Sequence, residues 1–315
     1  MAIVTSDILL LTFAGIKTEF DAAYILASAN ADWKQVAEEI ETTLPIQNYA
    51  WLGRGAVMQE FKDEVAQQSL REDQYTLGDK TYKANMTVSR RAMEDDQYGM
   101  LMKRAKTLSN EPVRHWNELA FTGLANGFSA TAYDGLSFFN ATHSEGTSGN
   151  QSNLTSASLS DSALQLAEAA MMAYVDDKAK PLEIQPDTLV VGPSNKRKAE
   201  DLVGSAIVVS RVGDGTAGTG ATAATPFDNY FRGKYKIVTS PYLIGVSAYN
   251  WFLLDTKRDV KPIVIQSRSD VPITLETDMM DGAAHIKEEY NITVRGRYVQ
   301  GYGLWQVAYG SNATS

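Results

Sequence analysis

Gly213-Asp-Gly215-Thr-Ala-Gly218 spells the nucleotide-binding pattern Gly-x-Gly-x-x-Gly and follows a strand-like run. That chemistry requires a helix opening at the third glycine, whose amides and dipole meet a pyrophosphate. The sequel Thr219-Gly-Ala-Thr-Ala-Ala-Thr-Pro226 is a poor helix, and no acid stands about 20 residues on to hold a ribose. A flexible loop is the better reading. The acids that could share general acid–base work are Glu94-Asp95-Asp96, Asp176-Asp177 and Asp278 with Asp281. The first group sits at a helix start, where negative charge complements the dipole. The second is expected to terminate a helix, and the third to lie in a solvated turn. His115, His143 and His285 are far apart and form no zinc-binding pair. Gly245-Val-Ser-Ala-Tyr249 fails as a nucleophile elbow at its last position. Arg232, Lys234 and Lys236 interleave with Tyr230, Phe231 and Tyr235. That arrangement could stack single-stranded nucleic acid, but a basic edge strand is expected in so acidic a chain. No catalytic, cofactor-binding or metal-ligating residue is assigned, no cofactor is expected, and the chain reads as a non-enzyme.

The composition narrows the class further. The chain has 315 residues, 29 Lys and Arg against 38 Asp and Glu, no cysteine and three histidines. Zero cysteine excludes disulfide scaffolds, thiolate metal sites and a thiol nucleophile. A net charge of −9 argues against a groove binder of nucleic acid. The apolar run 8–16 is about half of the roughly 20 residues a membrane span needs, and no basic region precedes it. It reads as part of a helix, with folding in a reducing cytosol and no membrane partner.

The elements that would carry these residues follow an unusual order. Residues 1–50 hold seven acids and two bases and read as helices over 7–27 and 32–42, too small to form a core alone. Ile16, Phe20 and Tyr24 recur at helical spacing in the first; Trp33, Val36, Ala37 and Ile40 make a stripe in the second. A short helix over 57–65 precedes strands over 66–77 and 80–89, joined by Gly78-Asp79 as a projecting polar hairpin. Residues 91–126 read as a very long helix that Pro112 should kink or divide. A loop-rich stretch over 128–160 is expected to contain a mobile surface loop. Helices over 161–180 and 196–203 then alternate with strands over 188–192, 205–212, 236–239, 251–255 and 263–266, an α/β or α+β pattern. The tail, 285–309, is β-rich.

Certain stretches carry a more specific likeness: Trp51-Leu-Gly53, Val88-Ser-Arg-Arg-Ala-Met-Glu-Asp-Asp-Gln-Tyr-Gly99, Tyr133-Asp-Gly135 with Phe138-Phe139 and His143, Pro181-Leu182, Leu189-Val-Val191, Trp251-Phe-Leu-Leu-Asp255 and Gln300-Gly-Tyr-Gly-Leu-Trp-Gln306. In this order and spacing the chain resembles the major head subunits of Mu-like bacteriophages and prophages. The resemblance implies an α+β, HK97-type capsid fold: an N-terminal helical arm (1–50), an extended E-loop hairpin (51–90), a P-domain with the long spine helix (91–160), an A-domain (161–275) and P-domain return strands (276–315). It implies a major capsid protein that self-assembles as hexamers and pentamers into an icosahedral shell around double-stranded DNA, without sequence-specific binding. Scaffold, portal and prohead protease would be its assembly partners, the virion its destination and the bacterial cytoplasm its place of assembly. No Lys–Asn cross-link or cleaved propeptide is assigned. The alternatives are an encapsulin-like nanocompartment shell and, lower still, a two-domain α+β enzyme.

Overall fold

The structure, a computed structural model, describes residues 6–52, 72–89, 91, 99–205, 207–209, 226–269, 273–275 and 289–314. Sequence features at 57–65, 94–96, 213–225, Asp278, Asp281 and His285 lie outside these residues. The chain divides into two compact units. One comprises Met1–Asn48, Thr76–Ala120 and Val264–Gly301; the other comprises Tyr49–Tyr75, Phe121–Ile263 and Tyr302–Ser315.

The first unit is built on a five-stranded sheet. β1 (Ala37–Glu41) pairs with β11 (Ile263–Ser269), β11 with the long β13 (Glu289–Tyr302), and β13 with both β12 (Ile273–Leu275) and β4 (Lys80–Ser89). The β4–β13 pair is antiparallel and runs from Lys80 opposite Tyr298 to Ser89 opposite Glu289. Along β4, Tyr82, Ala84, Met86 and Val88 turn inward while Thr81, Lys83, Asn85 and Thr87 are exposed, the period-2 signature of a half-buried strand. Helix α1 (Ser6–Ala29) covers the inward face: Ile16 and Phe20 are fully buried in one cluster with Val88, Leu108, Ile273, Tyr290, Ile292 and Val294, and Tyr24 packs against it. The arm helix thus lies on its own chain.

Three expectations change here. Residues 32–42 are not a helix: Asp32–Gln35 form one 3-10 turn and Ala37–Glu41 form β1. The Trp33 amide donates to Asn117 Oδ1 at 2.8 Å, and its ring meets Trp116 edge-on. Those contacts fix the turn, and pairing to β11 outweighs the helix period. The strands flanking Gly78-Asp79 exist, as β3 (Glu72–Gly78) and β4, but they do not form a hairpin: β3 pairs with β2 (Ile46–Leu52), β4 with β13. Asp79 marks the switch. Its amide donates to Pro45 O, and its carboxylate forms ion pairs with Arg268 (3.3 Å) and Arg297 (2.9 Å). Pro112, finally, is buried inside one continuous helix, α2 (Met100–Asn126). The proline removes one amide, and the helix continues through it. The predicted faces hold: Leu108, Trp116, Ala120 and Leu124 are buried, while Lys103, Arg104, Lys106, Arg114 and Glu118 are exposed.

The second unit is built on a sheet ordered β5 (Leu154–Thr155), β14 (Ala308–Ser311), β10 (Trp251–Leu254), β6 (Thr188–Val191), β9 (Lys236–Thr239). β6, β10 and β14 are buried throughout, which is why Leu189-Val-Val191 and Trp251-Phe-Leu-Leu254 read as unbroken apolar runs. Helix α3 (Asp161–Met172) packs on β10 and β14, and α4 (Lys196–Gly204) on β6 and β9. Ser160 caps α3 through the Ala163 amide, as a serine at this position should. The helix stops at Met172, short of the expected residue 180; beyond it Asp176 takes the amides of Lys178 and Lys180 in a turn. A Cβ at Gly310 would stand 2.7 Å from the Phe139 ring, so glycine lets that aromatic sit directly on β14. A small pair, β7 (Ile207–Val209) and β8 (Pro226–Asp228), completes the unit.

Candidate assembly surfaces

Within the stretch 128–160, residues 141, 142, 144, 146, 147, 149 and 150 are exposed, while His143 and Glu145 between them are buried. His143 is fully buried; its ring stacks on Trp305 (4.2 Å, 6°), Nδ1 meets Asp134 Oδ2 at 2.5 Å, and Nε2 meets the Phe138 carbonyl at 3.3 Å. Glu145 Oε1 accepts from Trp305 Nε1 (3.0 Å), from Gln306 Nε2 (2.8 Å) and from the Tyr133 hydroxyl. Burial, reinforced by Glu145, pushes the Tyr133 phenol well above its ordinary range. Gly146 follows with φ +53°, and a Cβ there would collide with the Asp177 carbonyl at 2.4 Å.

A His–Asp pair beside a Glu–Tyr pair has the residue types of an acid–base centre. Here both histidine nitrogens face acceptors inside the protein, and the glutamate oxygen already carries three donors. The groups are spent on each other, as a satisfied buried network is, and they tie the 133–151 loops to Trp305 and Gln306. Sequence reasoning placed Tyr133, His143 and Trp305-Gln306 in separate signature stretches and did not bring them together. No local spacing joins residues about 160 positions apart.

The remaining candidates are also occupied. His115 is half-buried, with Nδ1 2.8 Å from the Tyr298 hydroxyl; burial holds its pKa down and Glu118 partly offsets this. It lines an open pocket of about 280 Å³ with Tyr82, Pro112 and Tyr298, where the nearby Glu111 is engaged by Arg114 at 3.0 Å. Of the basic–aromatic run, Lys236 starts the edge strand β9 as expected, but Lys234 turns inward to Glu168 and lies 4.2 Å over the Tyr230 ring. Burial disfavours its charge, yet the bonds to Glu168 and Tyr230 raise its pKa on balance. The only positions of that run left for a polyanion are Arg232 and Lys236, both exposed. Gly245–Ser247 is a 3-10 turn whose Ser247 hydroxyl donates to the Ile244 carbonyl. Among the described residues no three acids or histidines cluster to hold a metal, and no helix is long and apolar enough to cross a membrane.

Large apolar side chains are exposed on both units. Ile25 and Leu26 near the end of α1, Leu44 between β1 and β2, and Ile46 at the start of β2 are exposed in the first unit. In the second, Ile244, Val246 and Tyr249 protrude from one turn, Val246 at 99% exposure, and Leu166 and Met172 are exposed on α3. Large apolar side chains on successive exposed positions are what a partner covers.

The sequence model of the family described as "Mu-like prophage major head subunit gpT" matches residues 9–162, 154–243 and 243–314. The chain belongs to this family. The Mu-like prophage FluMu major head subunit of Haemophilus influenzae is 24% identical over 309 residues, covering 98% of this chain and 74% of its own. The major capsid protein of Escherichia phage Mu is 21% identical over 283 residues, covering 90% and 67%. The procapsid of bacteriophage JBD30 contains a chain similar in fold, with a TM-score of 0.53 and 23% identity over 96% of this chain and 75% of that one. The fold is that of phage capsid proteins, α+β as expected. Within this fold the saturated network around Glu145 ties the 133–151 loops to Trp305 and Gln306.

Proposed function

We propose that the chain is the major capsid protein of a Mu-like phage or prophage, assembling with copies of itself into an icosahedral shell that encloses double-stranded DNA. The family match from residue 9 to residue 314 carries this reading. It favours a phage head over an encapsulin-like compartment, since both relatives are phage or prophage head proteins. As part of the same reading the protein is structural and not an enzyme; hexamers and pentamers are its assembly units, and scaffold, portal and prohead protease are its partners. Residues 1–50 serve as arm, 51–90 as E-loop, 91–160 and 276–315 as P-domain and 161–275 as A-domain. The 27-residue helix α2 supports the spine assignment. The net charge of −9 fits a wall that packs DNA without gripping it.

Electron microscopy of the purified protein, alone and co-expressed with its neighbouring head genes, tests the reading. Hollow, uniform particles are expected. Monomers or small oligomers under every assembly condition would overturn it.

A further inference from the structure

Helix α3 inverts the usual arrangement of a surface helix. Between Ser162 and Val175 the only charged residue is Glu168, and Glu168 is buried against Lys234. The outward face consists of Ser162, Gln165, Leu166, Ala169, Met172 and, one residue past the helix, Ala173, all exposed. A helix that is apolar on both faces belongs inside a structure, yet none of the described residues covers this one. Positions three and four apart are neighbours on a helix. Ala169 therefore lies between Leu166 and Met172 as a notch flanked by two larger side chains.

The turn between β9 and β10 has the converse shape. Residues 237–254 carry no charged side chain. A Cβ at Gly192 would stand 2.6 Å from the Leu243 carbonyl oxygen and 2.9 Å from that of Ala248, so glycine lets the turn sit directly on the end of β6. Asn195 Nδ2 donates to the Tyr249 carbonyl at 2.8 Å, and the Ser247 hydroxyl to that of Ile244 at 3.0 Å. Fixed in this way, the turn presents Ile244, Val246 and Tyr249 as an exposed apolar knob. α4 begins beside it with Lys196, Arg197 and Lys198, the first two facing Glu200 and Asp201 of the same helix at 3.9 and 3.8 Å. An apolar centre with charges at its rim is the ordinary anatomy of an interface.

We infer that the 244–249 turn of one copy seats on the outward face of α3 in the next, with Val246 in the notch at Ala169. The inference rests on the shell reading and names one contact within it. A charge-free knob against a charge-free face desolvates no ion. The other exposed apolar positions match it less well. Ile25 and Leu26 follow the exposed Glu19 and Asp21 on α1, and Leu44 lines a pocket with Glu41 and Arg268. Knob against knob would set two convex surfaces together and exclude little water. Knob against notch joins two different patches of the same chain, the heterologous contact that closes rings.

The chain has no cysteine, so introduced thiols can report the contact. Mixing A169C with V246C under oxidising assembly conditions is expected to give a disulfide-linked dimer that requires both variants. Its absence, or a dimer formed equally by V246C alone, would overturn the contact. A169K is expected to unfold thermally like wild type, because the position is exposed and lysine is a good helix former. It should nevertheless lower particle yield at least tenfold, by sedimentation and electron microscopy; a wild-type yield would overturn the contact. If wild type forms no particles but the mixed dimer appears, the shell reading fails and the contact stands. If wild type forms particles and the mixed dimer is absent, the contact fails and the shell reading stands.

Discussion

Glu145 shows how a single oxygen can organise a loop. Trp305 Nε1, Gln306 Nε2 and the Tyr133 hydroxyl all converge on its Oε1, and its removal would take the acceptor from the buried Trp305 Nε1 and leave Tyr133 and Gln306 with only their bonds to each other. Glu145→Ala is therefore expected to destabilise the unassembled subunit by about 3 kcal/mol, while Glu145→Gln, whose amide oxygen still accepts, should cost less. Chemical denaturation of the two variants checks the order. The tyrosines give a pH signature. Burial raises the phenols of Tyr133, Tyr174, Tyr235 and Tyr298, and pushes Tyr49 up to about 12. A raised folded pKa means that the neutral form is favoured by folding. Its contribution is complete below the unfolded value of about 10 and is lost as pH rises toward the folded values. Alkaline titration should show tyrosinate absorbance rising together with loss of near-ultraviolet circular dichroism above about pH 10. Ionisation of all fifteen tyrosines at constant fold would contradict the burial of these side chains.

At the scale of elements, Asp79 decides where one strand ends and another begins. Asp79→Ala leaves Arg268 and Arg297 facing each other without a counter-charge. Both guanidinium groups are partly exposed, 24% and 33%, so the expected loss is about 2 kcal/mol rather than the full cost of breaking a buried pair. Faster amide hydrogen exchange at Lys80–Tyr82 would localise it. Pro112→Ala should act in the opposite direction, restoring a helical amide. The gain is expected near 1 kcal/mol, below the roughly 3 kcal/mol of an interior proline, because the buried ring also packs. Thermal unfolding would register it. These two residues also show what the sequence could reveal. The alternation of β4 and the face of α2 were legible because burial follows a local period. The partner of β4 was not: Gly78-Asp79 has the composition of a hairpin turn, and only Arg268 and Arg297, about 190 and 220 residues away, redirect the strand. Residues 32–42 misled for the same reason, since pairing with β11 is a tertiary choice. The Glu145 network joins residues too distant for any spacing rule.

For the molecule as a shell component, the informative residues are those that contribute nothing to its own fold. Val246 at 99% exposure and Ile244 at 64% sit in one short turn between β9 and β10. Neither is retained by packing within the chain, and exposed apolar side chains at a turn carry an aggregation hazard unless a partner covers them. Val246→Asp should therefore leave subunit stability within about 0.5 kcal/mol of wild type, as surface substitutions do. If the turn is covered in the shell, the same change introduces a charge into an apolar contact repeated in every copy. Even a modest loss per contact multiplies across a closed symmetric assembly. The expected result is a folded subunit with an unchanged denaturation midpoint and sharply reduced particle yield, measured side by side on one preparation. A variant that assembles as wild type would show that this turn remains in solvent on the finished shell, and would leave subunit contacts to the other exposed positions, Leu166 and Met172 on α3 and Ile25 and Leu26 on α1.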